Sequence, residues 1–398
     1  MKASVELVKK ISEQQCEPDW LKRQRVSAFQ QYEKLPDPTV KDEMWKYIHP
    51  KDFEYENISL NTSPAVFQKP KEAGVIVETM EAALKQYGQL IEPLMKEIRA
   101  FEMSKLDLLH EALWQGGMFV YVPARTAVMQ PIHSKMNVNA AQLTVFPFTV
   151  VVVEKEGSAC VIDEMISLED HSTQQLSNAF RYIWVKEGAR LQYVNIDRWN
   201  KETSHFETQV ARVGENGFFQ SINVGLGGYK NKFNIHTIVE GKGAEAYPMG
   251  IFLGDGRTHF DVYTVQDHRS ENTMSNLLYK SALKDASQFS YQGVITIPKS
   301  AQRSDAYQAN QNLLLSPMAK ARSIPKLEII ADDVRCKHSA TMGTIEAEET
   351  FYLESRGLSR EEAVKIMVEG FFEQVLEKVQ SEEVRDTLRN VITEKLQK

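Results

Sequence analysis

The feature that most constrains this 398-residue chain is a long series of short β-type segments, from about residue 118 to 345. Several open alike, with a charged turn, a small residue and then a strand. Glu156-Gly157-Ser158-Ala159 precedes Cys160-Val161-Ile162, and Glu187-Gly188-Ala189 precedes Leu191-Gln192-Tyr193-Val194. Asn216-Gly217 leads into Phe218-Phe219-Gln220-Ser221-Ile222, Lys242-Gly243-Ala244 into Glu245-Ala246-Tyr247, and Lys284-Asp285-Ala286 into Gln288-Phe289-Ser290-Tyr291. Gly157, Gly188, Gly217 and Gly243 recur at spacings of 31, 29 and 26 residues. A repeat of roughly 20–50 residues is the mark of a solenoid or array. No helical stretch long enough for a parallel crossover interrupts the series, which disfavours a βαβ sheet. A β-sandwich and a β-helix remain, and the similar turns in a long β-only run favour the β-helix.

The flanks read differently. Residues 1 to about 115 are mostly helical, with Asp19 placed to cap a helix carrying Trp20, Leu21, Val26 and Phe29. Leu35-Pro36-Asp37-Pro38 ends it, and a second element holds Met44, Trp45, Tyr47 and Ile48. Val75-Ile76-Val77 is a short strand, and the apolar spacing from Glu78 to Trp114 suits helices. At the other end, Gly357 is placed to stop a helix that starts near Glu348. Ser359 and Glu362 form a capping box for the next helix. Val364, Met367, Phe371, Val375 and Val379 then make an apolar stripe, widened by Ile366, Phe372 and Leu376. The expected organisation is a helical segment over 1–115, a β core over 116–346 and a helical segment over 347–398.

Composition narrows the function. A net charge of −7 argues against nucleic acid, whose binding leans on clustered Lys and Arg. No apolar run approaches the roughly 18–20 residues of a membrane span, and the N-terminus lacks a signal-peptide core. Cys16, Cys160 and Cys336 are few, odd in number and far apart, which fits a reducing cytoplasm better than a disulfide framework. There is no phosphate loop, so ATP hydrolysis is not expected of this chain, and no CxxC, HExxH or GxSxG. Gly225-Leu226-Gly227-Gly228 lacks dinucleotide-fingerprint spacing. His236, His259 and His268 lie near Asp255, Asp261 and Asp267. They raise the alternative of a β-helix enzyme acting on a polymer or small substrate through residues 255–268, although solvated turns and satisfied histidines explain them as well. Gln308, Asn310, Gln311 and Asn312 suit either a side-chain ladder between coils or a polar loop.

The last cysteine is more pointed. In Val334-Arg335-Cys336-Lys337-His338 a strand would turn Cys336 and His338 to one face, because side chains two apart point the same way. A thiolate and an imidazole make half of a tetrahedral metal site. The bland reading is a small buried cysteine. A half-site completed by a partner chain explains the pair with fewer assumptions than Cys–His catalysis, which lacks an orienting Asn or Asp.

The stretch Ser304-Asp305-Ala306-Tyr307-Gln308-Ala309-Asn310-Gln311-Asn312-Leu313-Leu314-Leu315-Ser316 resembles the SufB/SufD family of iron–sulfur cluster assembly proteins. So do Ala331-Asp332-Asp333-Val334-Arg335-Cys336-Lys337-His338 and Phe351-Tyr352-Leu353-x-Ser355-Arg356-Gly357. Trp20, Leu35-Pro36 and Trp45-Lys46-Tyr47 are similar to that family's N-terminal segment. Within the family the D-type fits: the B-type Glu-His-Glu-Ala-Thr-Thr run is missing, and no cysteine lies between Cys160 and Cys336. Ser339 departs from the family's usual Gly, a small-for-small change. The resemblance implies a mainly β fold, a right-handed parallel β-helix flanked by helices. It implies a non-catalytic scaffold paired with a SufB-like paralogue and a SufC-like ATPase, with a homodimer as the alternative in isolation. Iron or a nascent cluster would lie at the inter-subunit interface, with Cys336 and His338 as this chain's ligands. The ATPase-docking region would map onto Arg356, Gly357, Gly370 and Phe371. No feature of the sequence bears on a flavin.

Overall fold

The computed structural model describes residues 2–53, 65–138, 144–167, 175–379 and 381–397. Its β run winds into a parallel β-helix, not a sandwich. One sheet of nine strands runs Ala65–Phe67, Ile132–Asn137, Ser158–Ile166, Arg190–Trp199, Phe218–Gly227, Glu245–Gly254, Met274–Leu283, Asp305–Leu314, Arg335–Thr344. The other runs Ile76–Thr79, Met118–Val122, Phe148–Val153, Gln175–Val185, Thr203–Val213, Lys230–Val239, His259–His268, Gln288–Ile297, Lys320–Ile329, with Thr144–Val145 beside Gln175–Val185. From Phe148 onward the chain alternates between the sheets, so each coil adds one strand to each. Every pairing in both stacks is parallel except the first in each, which is antiparallel.

The repeat has one stereochemical origin. Two residues before each of six successive strands of the first sheet the backbone turns left-handed, at Glu156, Gly188, Asn216, Gly243, Asn272 and Arg303, with φ between 52° and 69°. Each of these amides donates to a carbonyl of the next coil's turn, at 2.6–3.4 Å. The turns therefore stack as the strands do. Gly157 and Gly217, prominent in the sequence, sit one place after the left-handed residue and have negative φ.

Side chains alternate between the inside of the coil and its faces. The first coils are filled by Val, Ile and Ala, among them Val120, Val151, Val161, Ile183 and Val213. Later coils are filled by rings. Phe252 lies 5.2–5.8 Å from the ring centres of Phe233, Phe260, Tyr279 and Phe289. Gly250 makes room for them, since a Cβ there would stand 2.5 Å from Tyr279.

Helices clad both outer faces. Among the described residues four precede the core: α1 (Val5–Gln15), α2 (Asp19–Lys34), α3 (Met80–Arg99) and α4 (Lys105–Leu113). Ile91, Leu94, Met95, Leu109 and Leu113 of the last two pack with Phe148, Val150, Phe180 and Tyr182 on the second sheet. Three follow: α5 (Ala347–Ser355), α6 (Arg360–Leu376) and α7 (Glu382–Leu396). Val368, Phe372, Val375, Leu388 and Ile392 cover Ile196, Ile222, Val224, Met249 and Ile251 of the first sheet.

Three local expectations change. Asp19 opens α2 rather than capping it; Pro18 holds the cap position and donates no side chain. The segment around Trp45 forms two short 3₁₀ turns, Glu43–Trp45 and Pro50–Asp52, with the Trp45 ring stacked on Phe206 at 5.9 Å. Of the apolar stripe read on α6, Phe372, Val375 and Leu376 are buried, joined by Val368, whereas Phe371 is half-buried with its ring 4.3 Å from the Lys280 ammonium. The capping box of Ser359 and Glu362 is present as read.

Candidate functional site

Strand pairing decides where Cys336 and His338 point. Cys336 is in register with Ala306 and His338 with Gln308. Ala306 and Gln308 are each 1% exposed and face the interior, so the two candidate ligands face inward as well. Cys336, half-buried, packs with Ile295, Ile297, Ala301, Ala306 and Ala331. Lys337 and Ser339 point outward, where the Ser339 hydroxyl lies 2.9 Å from that of Tyr307. Arg335–Thr344 is the last strand of its sheet and Lys320–Ile329 the last of the other. The pair therefore stands in the final rung, at an open mouth of the solenoid, with Cys336 deeper and His338 exposed.

The mouth carries further unsatisfied polarity. Both amide atoms of Gln308 and the Ser323 hydroxyl are buried without a partner. Ser323 is in register with the inward-facing Tyr291, so it also faces the mouth. Sequence reading placed Gln308 in a possible ladder and missed it here, because only the register puts it beneath His338. The ladder itself is partly formed: the Ser281 hydroxyl donates to Asn312 Oδ1 at 2.7 Å, one coil away. Burial, with a smaller contribution from Asp305, pushes the Cys336 thiol up in pKa. It is thus protonated until a metal or a partner's cation displaces the proton.

The other candidates do not converge. Asp255 pairs with Lys395 at 2.7 Å, Asp261 with Lys232 at 3.1 Å, and Asp267 with Arg269 at 2.7 Å. His268 lies inside the coil between the Thr273 and Ser275 hydroxyls, both at 2.7 Å, and His259 meets Ser290 at 3.2 Å. His236 sits on the outer face against Phe101. Burial drives all three imidazoles down, to about 4, 3 and 4 for His268, His259 and His236. Each is a neutral packed histidine.

Among the described residues one set of three potential ligands lies close enough to share an ion: Asp197, His205 and Glu207, inside the coil. A cation is already there. Arg181, fully buried, pairs with Glu207, with Asp163 at 3.2 Å and with Asp197 at 3.4 Å. Tyr193 donates to Asp163 at 2.9 Å and Asn195 to Asp197 at 2.9 Å. The network is a buried ion-pair cluster, closed to solvent, with Arg181 as its cation. No sequence spacing announces it, because its members come from four strands.

At the C-terminus, Arg356 caps α5 and lies over Tyr352, 5.3 Å from the ring. Gly357 takes φ +96° between α5 and α6, and Gly370 has open space where a Cβ would be. The exposed aromatics of this region are on α5: Phe351 is 70% and Tyr352 58% exposed. Phe371 is half-buried against Phe372 and Lys280.

The fold is a two-sheet parallel β-helix clad by helices on both faces, with a thiol and an imidazole at its open end. Comparison with known proteins gives the family. Residues 136–371 match the SUF system FeS cluster assembly, SufBD core domain, and residues 57–133 match the SufBD protein N-terminal region. The chain belongs to the SufBD family. It is 24% identical over 412 residues to an iron–sulfur cluster assembly SufBD family protein of Staphylococcus saprophyticus, covering 92% of this chain and 87% of that one. It is 26% identical over 348 residues to the iron–sulfur cluster assembly protein SufB of Bacillus subtilis, covering 86% of this chain and 73% of that one. No helix among the described residues is long and apolar enough to cross a membrane.

Proposed function

We propose that this chain is the D-type scaffold subunit of a cytoplasmic, ATP-driven iron–sulfur assembly complex. It pairs with a SufB-like paralogue through the open end of its β-helix and carries a SufC-like ATPase on its C-terminal helices. Iron or a nascent cluster, as cargo, would be held between the subunits. The observation that carries the reading is the placement of Cys336 and His338 together on the inward face of a terminal rung, beside an unpaired strand edge. Thiolate and imidazole are suitable iron ligands, and two of them leave the set to be completed by another chain.

Several features support the D-type over the B-type. The only other cysteine of the β region, Cys160, packs against the helical cladding, and its thiol is pushed up to about 12 by burial. It lies on the helix-covered face of an early coil and not at the mouth. Around the mouth, Leu327, Ile329, Ile330 and Met342 are 36–68% exposed, an apolar border suited to a protein partner. For the ATPase, the exposed Phe351 and Tyr352 of α5, with Arg356 at its C-terminal cap and Gly357 next to it, offer an aromatic and cationic surface; Gly370 and the half-buried Phe371 lie on α6.

The test is anaerobic reconstitution of the complex formed with the paralogue and the ATPase. Cys336→Ala with His338→Ala should lower cluster yield by roughly tenfold or more while circular dichroism and complex formation stay at wild-type level. Normal cluster formation by the double variant would remove these residues from the site.

A further inference from the structure

Cations gather on the outer face of the second sheet, close to the mouth. Lys230, His259, Gln288 and Lys320 stand side by side on its last four strands. They face outward, since Phe260 and Phe289 next to them fill the coil. Lys232, Asp261, Ser290 and Arg322 form the neighbouring outward row. At a strand spacing of about 4.8 Å, each row spans roughly 14 Å. Two tyrosines are set among the charges. The ring of Tyr229 lies 5.0 Å from the Lys230 ammonium and 5.8 Å from the Arg257 guanidinium. The ring of Tyr47 lies 5.7 Å from the Arg322 guanidinium and 5.5 Å from the Lys46 ammonium.

The carboxylates of the region are engaged elsewhere. Lys232 holds Asp261 at 3.1 Å, Lys395 holds Asp255 at 2.7 Å, and Lys326 holds Glu43. Asp285 accepts from the Gly256 amide at 2.9 Å and Asp52 from the His49 amide at 3.2 Å, although the Asp52 charge still reaches Lys230. Among the described residues, Lys230, Arg257, Lys320 and Arg322 form no ion pair. Their field is felt at His259, where Lys230, Arg322 and Lys232 add to burial in keeping the imidazole neutral. The opposite edge of the solenoid is different. There Lys155 pairs with Glu187 at 2.6 Å, and Lys242 and Arg303 share Glu271 at 2.7 and 2.6 Å. In a chain of net charge −7, four cations gathered without counter-charge repel one another until an anion covers them.

The layout defines the anion. The cations are spread along a line rather than around a point, so one small anion does not satisfy them. Same-side residues of an extended chain recur about every 6.7 Å, so carboxylates at three alternate positions span about 13 Å, the length of the row. A nucleic-acid strand would carry its charge on past the patch, over a net negative surface. We propose that this patch binds an extended acidic segment of a partner protein. Its carboxylates meet Lys230, Arg257, Lys320 and Arg322, and the Tyr229 and Tyr47 rings receive the aliphatic stems between them. Lys320 and Arg322 belong to the last strand of the sheet, so the segment lies beside the mouth.

The experiment titrates fluorescein-labelled octaglutamate into the full-length chain and follows anisotropy. The isolated chain suffices, so the result is independent of the site at Cys336 and His338. Saturation is expected on the order of 0.1–1 mM at about 20 mM salt, weakening roughly tenfold or more at about 300 mM. Arg257→Glu with Lys320→Glu, both at exposed positions, should weaken binding roughly tenfold or more. Lys155→Glu with Lys242→Glu changes net charge equally on the opposite edge and should leave affinity within about twofold. Failure to saturate by about 5 mM at low salt would overturn the proposal. So would wild-type affinity in the patch variant, or equal losses in the two double variants. Tighter binding of an oligothymidylate of the same length would make the patch a nucleic-acid site instead.

Discussion

At the scale of single residues, Arg181 is the most consequential side chain outside the mouth. It stands among Asp163, Asp197 and Glu207, all buried, with His205 beside them. Burial pushes Asp197 up to about 6 and His205 down to about 4, so the imidazole stays neutral and Arg181 is the cation of the group. Arg181→Met would leave three carboxyls with no counter-charge. Loss of one partner of a buried ion pair costs about 3–5 kcal/mol, and urea unfolding should show a loss of that order. A second residue tests burial alone. His236 has no hydrogen-bond partner among the described residues, and burial is the sole cause that lowers it from 6.5 to about 4. Its folded pKa lies below its unfolded one, so its contribution is complete above about pH 6.5 and is lost as pH falls through about 4. The melting temperature of His236→Phe relative to wild type should therefore rise steadily from about pH 6.5 to about pH 4. A difference independent of pH would show that His236 titrates normally.

At the scale of elements, the left-handed turn residue explains why the repeat was legible and why its phase was not. Glycine marks the turn at Gly188 and Gly243, but Glu156, Asn216, Asn272 and Arg303 adopt the same conformation with side chains. A reader following glycines sees the period and misplaces the turn by one residue at Gly157 and Gly217. The β-helix itself was legible because turn stacking leaves a sequence trace. The mouth was half legible: alternation along one strand shows that Cys336 and His338 share a face, whereas Gln308 and Ser323 join them only through register between coils. The clustering of Lys230, Arg257, Lys320 and Arg322 and the Arg181 network leave no local trace at all. Asn272→Val places a β-branched residue at φ +57° in one of these turns. It should cost about 1–2 kcal/mol in equilibrium unfolding, while Glu156→Gly, which relieves the same conformation, should leave stability unchanged or raise it. Equal effects of the two would mean that the turns are not held left-handed.

At the scale of the whole molecule, the two ends of the solenoid differ. The first rung is closed in both sheets by an antiparallel strand, Ala65–Phe67 in one and Ile76–Thr79 in the other, fed from the N-terminal segment. Among the described residues no strand pairs beyond the last rung. The Arg335 amide donates inward to Ser304 at 2.9 Å. By the alternation of a parallel ladder, the amides of Cys336, His338, Ala340 and Met342 then point out along the open edge. Such an edge invites strand addition, and natural proteins leave one bare where a partner covers it. The same backbone that presents the two candidate ligands would thus bond the paralogue, which couples assembly of the site to assembly of the complex. Ala340→Pro tests this directly. Proline removes an N–H that the folded monomer does not use, and proline is tolerated on sheet edges, so the isolated chain should fold normally. Affinity for the paralogue should fall by roughly tenfold or more. Undiminished pairing would mean that the subunits meet through side chains or helices and not through the edge of the final rung.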